Sequence, residues 1–419
     1  MRSSSIWQPE TLPEFRSAAV CYLLFACSLY GQAGLTLAEA IAEANASHPQ
    51  NLAARDRVSS AEGLRRQAGL TYNPRLFLQA ENYRFWSSPS LDYRTDTDNF
   101  GYLTQVFESG GKRERRVEVA SSVVRMTEWQ RAAQERQIAG RVSLAYWTAA
   151  AAANLKDLLQ RDVETYDEIV QYHRNRVREG AMAEVDLLRV QLERDRVQVT
   201  ARNAEAEYAQ SIIALQREMG RTNFTQPALT DKLSSVRDLE HPAIAAVLSA
   251  RPEVEAARAD VDRARANVRL QHAGAKPDPE LLFGYKRTAG FNTLIGGFQI
   301  NLPVRNRNEG QIASASAEVR LAENLARATE SQIRAEVESA WTAYDTRRRL
   351  LNETLGPMQD RANEIARIAL AAYQEGGVDL LRLIDAQRAR LDAMTTYYRA
   401  LSEYQQSVTT LQIVTGAPL

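Results

Sequence analysis

Few side chains in this sequence are set out for chemistry. The 419 residues contain four histidines and two cysteines. His48 and His241 each precede a proline, where a helix would start. His173 and His272 fall in helical stretches with no second histidine four residues on, so no zinc pair and no His-Glu-x-x-His motif forms. All four read as structural. No Gly-x-Ser-x-Gly nucleophile and no Gly-x4-Gly-Lys-Ser/Thr phosphate loop occurs. Gly110-Gly111-Lys112-Arg113 joins a glycine pair to basic residues and reads as a strand-to-helix turn, not a phosphate cradle. The expectation is no catalytic set, no cofactor and no resident metal. What stands out instead is a repeated pattern of turn glycine followed by acid. Gly180 precedes Asp186, and Gly376 precedes Asp379 and Asp385, with Arg382 between them. The bland reading of Asp186 and Asp379 is that they start helices, where the positive end of the helix dipole favours a carboxylate.

The elements that would position these residues come in two copies. HPQNLAARDRV (48–58) matches RPEVEAARADV (251–261), Trp147-Thr148-Ala149 matches Trp341-Thr342-Ala343, EGAMAEVDLLR (179–189) matches EGGVDLLR (375–382), and LQREMG (215–220) matches LQIVTG (411–416). Four matches in one order, about 200 residues apart, indicate a tandem duplication. The division is a leader over 1–33, a first repeat over 34–231 and a second over 232–419. Each repeat starts with a helix (about 36–70 and 242–273). A strand pair follows (about 74–86 with 98–109, then 280–288 with 292–302), and then a long helical hairpin (about 112–220 and 309–416).

Glycine and proline together are only 33 of the 419 residues, low against an average near 12%, and no proline lies between Pro89 and Pro227. A helix over 112–178 would be about 100 Å long at 1.5 Å per residue, deeper than any compact core. It therefore belongs to a coiled coil or a helical tube. Leu155, Leu159, Val163, Tyr166 and Val170 step at helical spacing. Leu380, Ile384, Gln387, Leu391, Met394, Tyr398, Leu401, Gln405 and Val408 alternate steps of four and three, a 3.5-residue seam. Pro357 should kink or break the second long helix.

Lys plus Arg equals Asp plus Glu, 52 each, which argues against a nucleic-acid binder that relies on bulk charge. No apolar run reaches 18 residues. The 13-residue run over 18–30 fits a signal-peptide core, with cleavage after Ala33 or, on a second reading, a lipidated Cys27. Strands of about ten residues are long enough to cross a membrane at a tilt. Four of them cannot close a barrel, and open edges cannot sit in lipid. Either they form small soluble hairpins, or several chains pool them; three chains would supply twelve.

A duplicated order of helix, strand pair and long hairpin behind a leader resembles the TolC family of outer-membrane efflux proteins. LTLAEAIAEANASHP (35–49) is similar to that family's opening. NLPVRNRNEGQI (301–312) resembles its heavy-metal, CzcC-type branch, and LGPMQDRANEIARIALAAYQEGGVDLLRLIDAQR (355–388) its second hairpin. The resemblance implies a mostly helical chain with a small β part. It implies a homotrimer in which four strands per chain build a twelve-stranded β-barrel in outer-membrane lipid, continued by a helical tube through the periplasm. It further implies a passive exit duct served by a periplasmic adaptor and an inner-membrane pump of the resistance-nodulation-division type, with heavy-metal cations as cargo. A drug or polypeptide duct, and a soluble periplasmic coiled-coil scaffold, are the alternatives. In the family, acids just past the hairpin turns line the periplasmic entrance. The matching residues are Asp186 and Asp385, with Asp379 beside them. Arg382 stands where a further acid is common. Gly180 and Gly376 mark the turns that would meet the adaptor.

Overall fold

The computed structural model describes residues 34–83, 86 and 91–417. The expected leader, with Cys27, and residues 84, 85 and 87–90, at the end of the first expected strand and beyond it, lie outside the described residues.

The chain opens on α1 (Leu37–Ser47), fixed by a capping box. Thr36 Oγ1 accepts from the Glu39 N–H at 3.2 Å, and Glu39 Oε2 accepts from the Thr36 N–H at 2.9 Å. α1 stops at His48, because Pro49 has no N–H to continue the ladder. α2 (Pro49–Ala68) starts on that proline, with His48 Nδ1 accepting from the Gln50 N–H. Arg251-Pro252 repeats the break between α6 (Ile244–Ala250) and α7 (Pro252–Gly274). The single helices expected over 36–70 and 242–273 are therefore corrected to two each.

Four strands form one antiparallel sheet in the order β1-β2-β3-β4: Arg75–Glu81, Asp98–Val106, Pro279–Thr288 and Phe291–Ile300. β1 is shorter than the expected 74–86, because Asn82 turns the backbone to φ +63. A short helix, α3 (Tyr93–Asp96), precedes β2. β3 and β4 join at Ala289-Gly290, both at positive φ, a tight hairpin turn of the kind glycine favours.

Below the sheet run the long helices. α4 (Lys112–Arg178) is an unbroken 67 residues that starts from Gly110-Gly111, both left-handed, as the glycine pair led one to expect. α5 (Glu184–Glu218) returns along it. In the second repeat α8 (Glu309–Arg349) passes through a π turn at Leu350–Leu355 into α9 (Gly356–Gln374), and α10 (Leu380–Thr415) returns. The expected effect of Pro357 is seen as this widened turn: the ladder absorbs the missing N–H just upstream of the ring and continues. The apolar seams face inward, with Leu159, Tyr166, Val170, Leu380, Ile384, Met394, Leu401 and Val408 buried.

A belt holds the two repeats together. The segment between α5 and α6 is tied to the long helices by fully buried hydroxyls. Tyr146 Oη accepts from the Asp231 N–H of that segment at 3.3 Å and donates to the Leu35 carbonyl ahead of α1 at 2.9 Å. Tyr344 and Tyr404 both donate to the Arg237 carbonyl at 2.7 Å, and Tyr404 Oη also accepts from the Arg237 N–H at 2.8 Å. Burial holds the phenols of Tyr146 and Tyr404 up to about 12, so both stay neutral donors.

Candidate functional site

The sheet has two chemically different faces. Residues directly opposite in an antiparallel ladder share a face. The pairings Leu76–Leu103–Phe283–Gly296, Leu78–Gly101–Tyr285–Leu294 and Gln105–Leu281–Phe298 define one face, apolar apart from Gln105 until the polar rung Ala80–Asn99–Arg287–Asn292 at the end nearest the β3–β4 turn. Its Leu76, Leu78, Phe283, Leu294 and Phe298 are each about two-thirds exposed or more, from 64% to 75%. The other face carries Arg75, Gln79, Thr104, Glu280, Lys286, Thr293 and Gln299, with Phe77 stacked on Tyr102 at 4.7 Å and Lys286 over the Phe100 ring at 5.2 Å. Apolar side chains more than half exposed across four strands are unfavourable in water and favourable against lipid. The opposite face then lines an interior. β1 and β4 have open edges, which neither lipid nor a soluble fold tolerates over this length. A small soluble hairpin pair does not fit this pattern.

Far below, the two hairpin tips are built alike. Gly180 (φ +73) and Gly376 (φ +77) end α4 and α9 in the left-handed conformation. In each tip the glycine N–H and the next one reach back to carbonyls of the last helical turn: Val177 and Arg176 in one, Tyr373 and Ala372 in the other. Asp379 is the N-cap of α10, its Oδ1 accepting from the Arg382 N–H at 2.9 Å. Asp186 lies in the first turn of α5, half-buried. Both fit the helix-start role. Asp385 does not: it lies past the first turn of α10, exposed. The guanidinium of Arg382 is exposed too and, among the described residues, pairs with neither aspartate.

Several polar links between the hairpins were not legible in the sequence. His173 of α4 is fully buried. Its Nδ1 lies 2.8 Å from the Ile169 carbonyl, which can only accept, so Nδ1 carries the hydrogen. Nε2 then accepts from the Tyr373 hydroxyl of α9 at 2.7 Å. Burial, with Tyr172 and Asp186 nearby, pushes the Tyr373 phenol up to about 12. Higher on the hairpins, Glu193 of α5 accepts from both guanidinium arms of Arg388 on α10, one at 3.0 Å, and from Arg196 at 2.7 Å. Asp162 of α4 pairs with Arg390 of α10. Burial pushes the Asp162 carboxyl above its ordinary value although Arg390 pulls the other way. The tips thus hold a layer of Tyr166, Ile169, Val170, Val190, Val197, Leu380, Leu383 and Ile384 bracketed by polar ties. Among the described residues no group of three or more histidines, cysteines or carboxylates could hold a metal ion, and no helix is long and apolar enough to cross a membrane.

A sheet that meets lipid on one face and lines an interior on the other, above a tube of long hairpins, defines a membrane duct. Residues 40–221 and 243–417 match the outer membrane efflux protein family, and the chain belongs to it. It is similar to the cobalt-zinc-cadmium resistance protein CzcC of Cupriavidus metallidurans, 25% identical over 388 residues that cover 91% of this chain and 90% of that one. It is also similar to the nickel-cobalt-cadmium resistance protein NccC of Alcaligenes xylosoxydans xylosoxydans, 25% identical over 277 residues, 65% of this chain and 61% of that one. Among solved structures, the open-state MtrE outer membrane channel of Neisseria gonorrhoeae shares the fold with a TM-score of 0.77 at 17% identity, covering 91% of this chain and 89% of that one.

Proposed function

We propose that three copies of this chain form the exit duct of an efflux system for divalent heavy-metal cations. The observation that carries the duct is the two-faced sheet with two open edges. Pairing β4 of one copy with β1 of the next satisfies every edge and yields twelve strands. A second feature agrees with neighbouring copies. Val185, Leu188, Leu192, Val199 and Ile213 of α5 are exposed and fall on one heptad-spaced stripe, the pattern of a helix that packs on another. The cargo reading rests on two metal-resistance relatives, one matched over 91% of this chain and the other over 65%.

The duct is passive, and its energy comes from an inner-membrane pump of the resistance-nodulation-division type reached through a periplasmic adaptor. The adaptor meets the hairpin turns at Gly180 and Gly376. Asp186, Asp379, Arg382 and Asp385 surround the entrance. Repeated three times, the exposed Asp385 gives a negative ring that favours cations; Asp186 and Asp379 serve first as helix starts. In bilayer recordings Asp385→Ala should lower cation preference with the trimer's melting unchanged. Earlier melting with unchanged selectivity would make this aspartate structural.

The cargo is tested in cells that keep the pump but lack this chain. They should accumulate cobalt and cadmium while their tolerance of dyes and detergents stays normal. The reverse pattern would favour the drug-duct reading.

A further inference from the structure

Where strands meet helices, on the polar face of the sheet, lies a cavity of about 1030 Å³. Arg75, Val106 and Glu280, all on the polar face, form its wall on the strand side. Lys112, Lys276, Asp278 and the segment 301–308 close it on the helix side. Both carboxylates that line it are already taken: Arg75 pairs with Glu280 and Lys112 with Asp278, each at 2.7 Å. Two cations are left over. Lys276 and Arg305 are exposed, and among the described residues neither makes an ion pair. The remaining polar wall, Asn73, Asn301, Asn306 and Asn308, is uncharged.

Lys276 is held in place. Its stem lies over Gly110, where a Cβ would come within 2.5 Å of Lys276 Cδ, and its carbonyl accepts from Lys112 Nζ at 2.6 Å. Arg305 follows a tight turn in which the Val304 N–H donates to the Leu302 carbonyl. Three of the chain's five lysines, Lys112, Lys276 and Lys286, lie in this strand region or its turns, although the long helices carry far more residues.

We propose that Lys276 and Arg305 form an anion-attracting collar inside the duct, at the base of the barrel. This rests on the trimeric duct proposed above, in which the two residues become six uncompensated cations at one level of the lumen. The ligand class is a small inorganic anion such as chloride or phosphate. A metal cation then crosses this level most readily when accompanied or complexed by an anion. The collar and the Asp385 ring have opposite preferences at two levels of one path. A single charge about 10 Å from a passing ion changes its local concentration by about a factor of two in water, and salt at about 0.1 M screens over about the same distance. The collar therefore governs selectivity at low salt and fades at high salt.

The test is the reversal potential of the purified full chain in planar bilayers under a KCl gradient. Relative to wild type, the Lys276→Gln/Arg305→Gln double variant should raise the potassium-to-chloride permeability ratio by about twofold or more at low salt, where the Debye length is about 10 Å or longer. The difference should vanish near 1 M, where that length is about 3 Å. If the double variant fails to assemble, each single variant should give part of the shift in the same direction. A wild-type protein that conducts, with variants of unchanged ratio at low salt, would overturn the collar alone. A wild-type protein that assembles without conducting in any salt would overturn the duct and the collar with it.

Discussion

Replacing Glu193 with Gln should loosen the second hairpin from the first. The Glu193 side chain is only 7% exposed, while its partners Arg388 and Arg196 are 50% and 59% exposed. Breaking a fully buried pair costs about 3–5 kcal/mol, and an exposed pair is worth below about 1 kcal/mol. Here the carboxylate is buried, but both guanidiniums can turn back into water, so the loss should be about 1–2 kcal/mol per chain. Gln keeps the shape and one acceptor oxygen, so packing is not the variable. The assay is a double-mutant cycle of Glu193→Gln and Arg388→Gln, read by thermal unfolding in detergent. The coupling energy between the two positions should be about 1 kcal/mol. A coupling energy indistinguishable from zero would refute the reasoning that this buried carboxylate ties α10 to α5.

Asp162 gives a pH-dependent counterpart. Its folded-state pKa is raised, so its stabilising contribution is full below the unfolded value near 3.8 and is lost as pH rises through the folded value. The melting temperature of Asp162→Asn relative to wild type should therefore improve as pH is raised from acid to neutral; a difference that shrinks over that range would contradict the burial argument. In the sheet, a Cβ at Gly284 would lie 2.3 Å from the Gly101 carbonyl oxygen, with no side chain able to give way. Gly284→Ala should part β2 from β3 and abolish heat-resistant oligomers on gels, whereas Gly296→Ala, with nothing within 4 Å, should leave them intact.

Much of the fold could be read from periodicity. The unbroken α4, the inward seams, the glycine pair at its start and the tight β3–β4 turn all follow from local residue types. Two departures are local: Pro49 splits the helix expected over 36–70, and Asn82, a residue that tolerates the left-handed region, ends β1. The rest of what escaped depends on neighbours far apart in the chain. His173 has no second histidine on its own helix to mark it; its side-chain partner is Tyr373, 200 residues on. Glu193 and Arg388, 195 residues apart, meet only because the two repeats pack with their hairpins side by side. At the tips the sequence offered two roles for the aspartates. The structure gives Asp379 its capping hydrogen bond, leaves Asp385 without one and, among the described residues, pairs Arg382 with neither.

A duct of this kind requires the chain to pool its strands with those of other copies. The native mass of the detergent-extracted protein measures that directly. Three copies per particle, each no larger than the 46.9 kDa full chain, is the result the open edges of β1 and β4 require. Particles holding one or two copies would leave those edges unpaired and would contradict the duct.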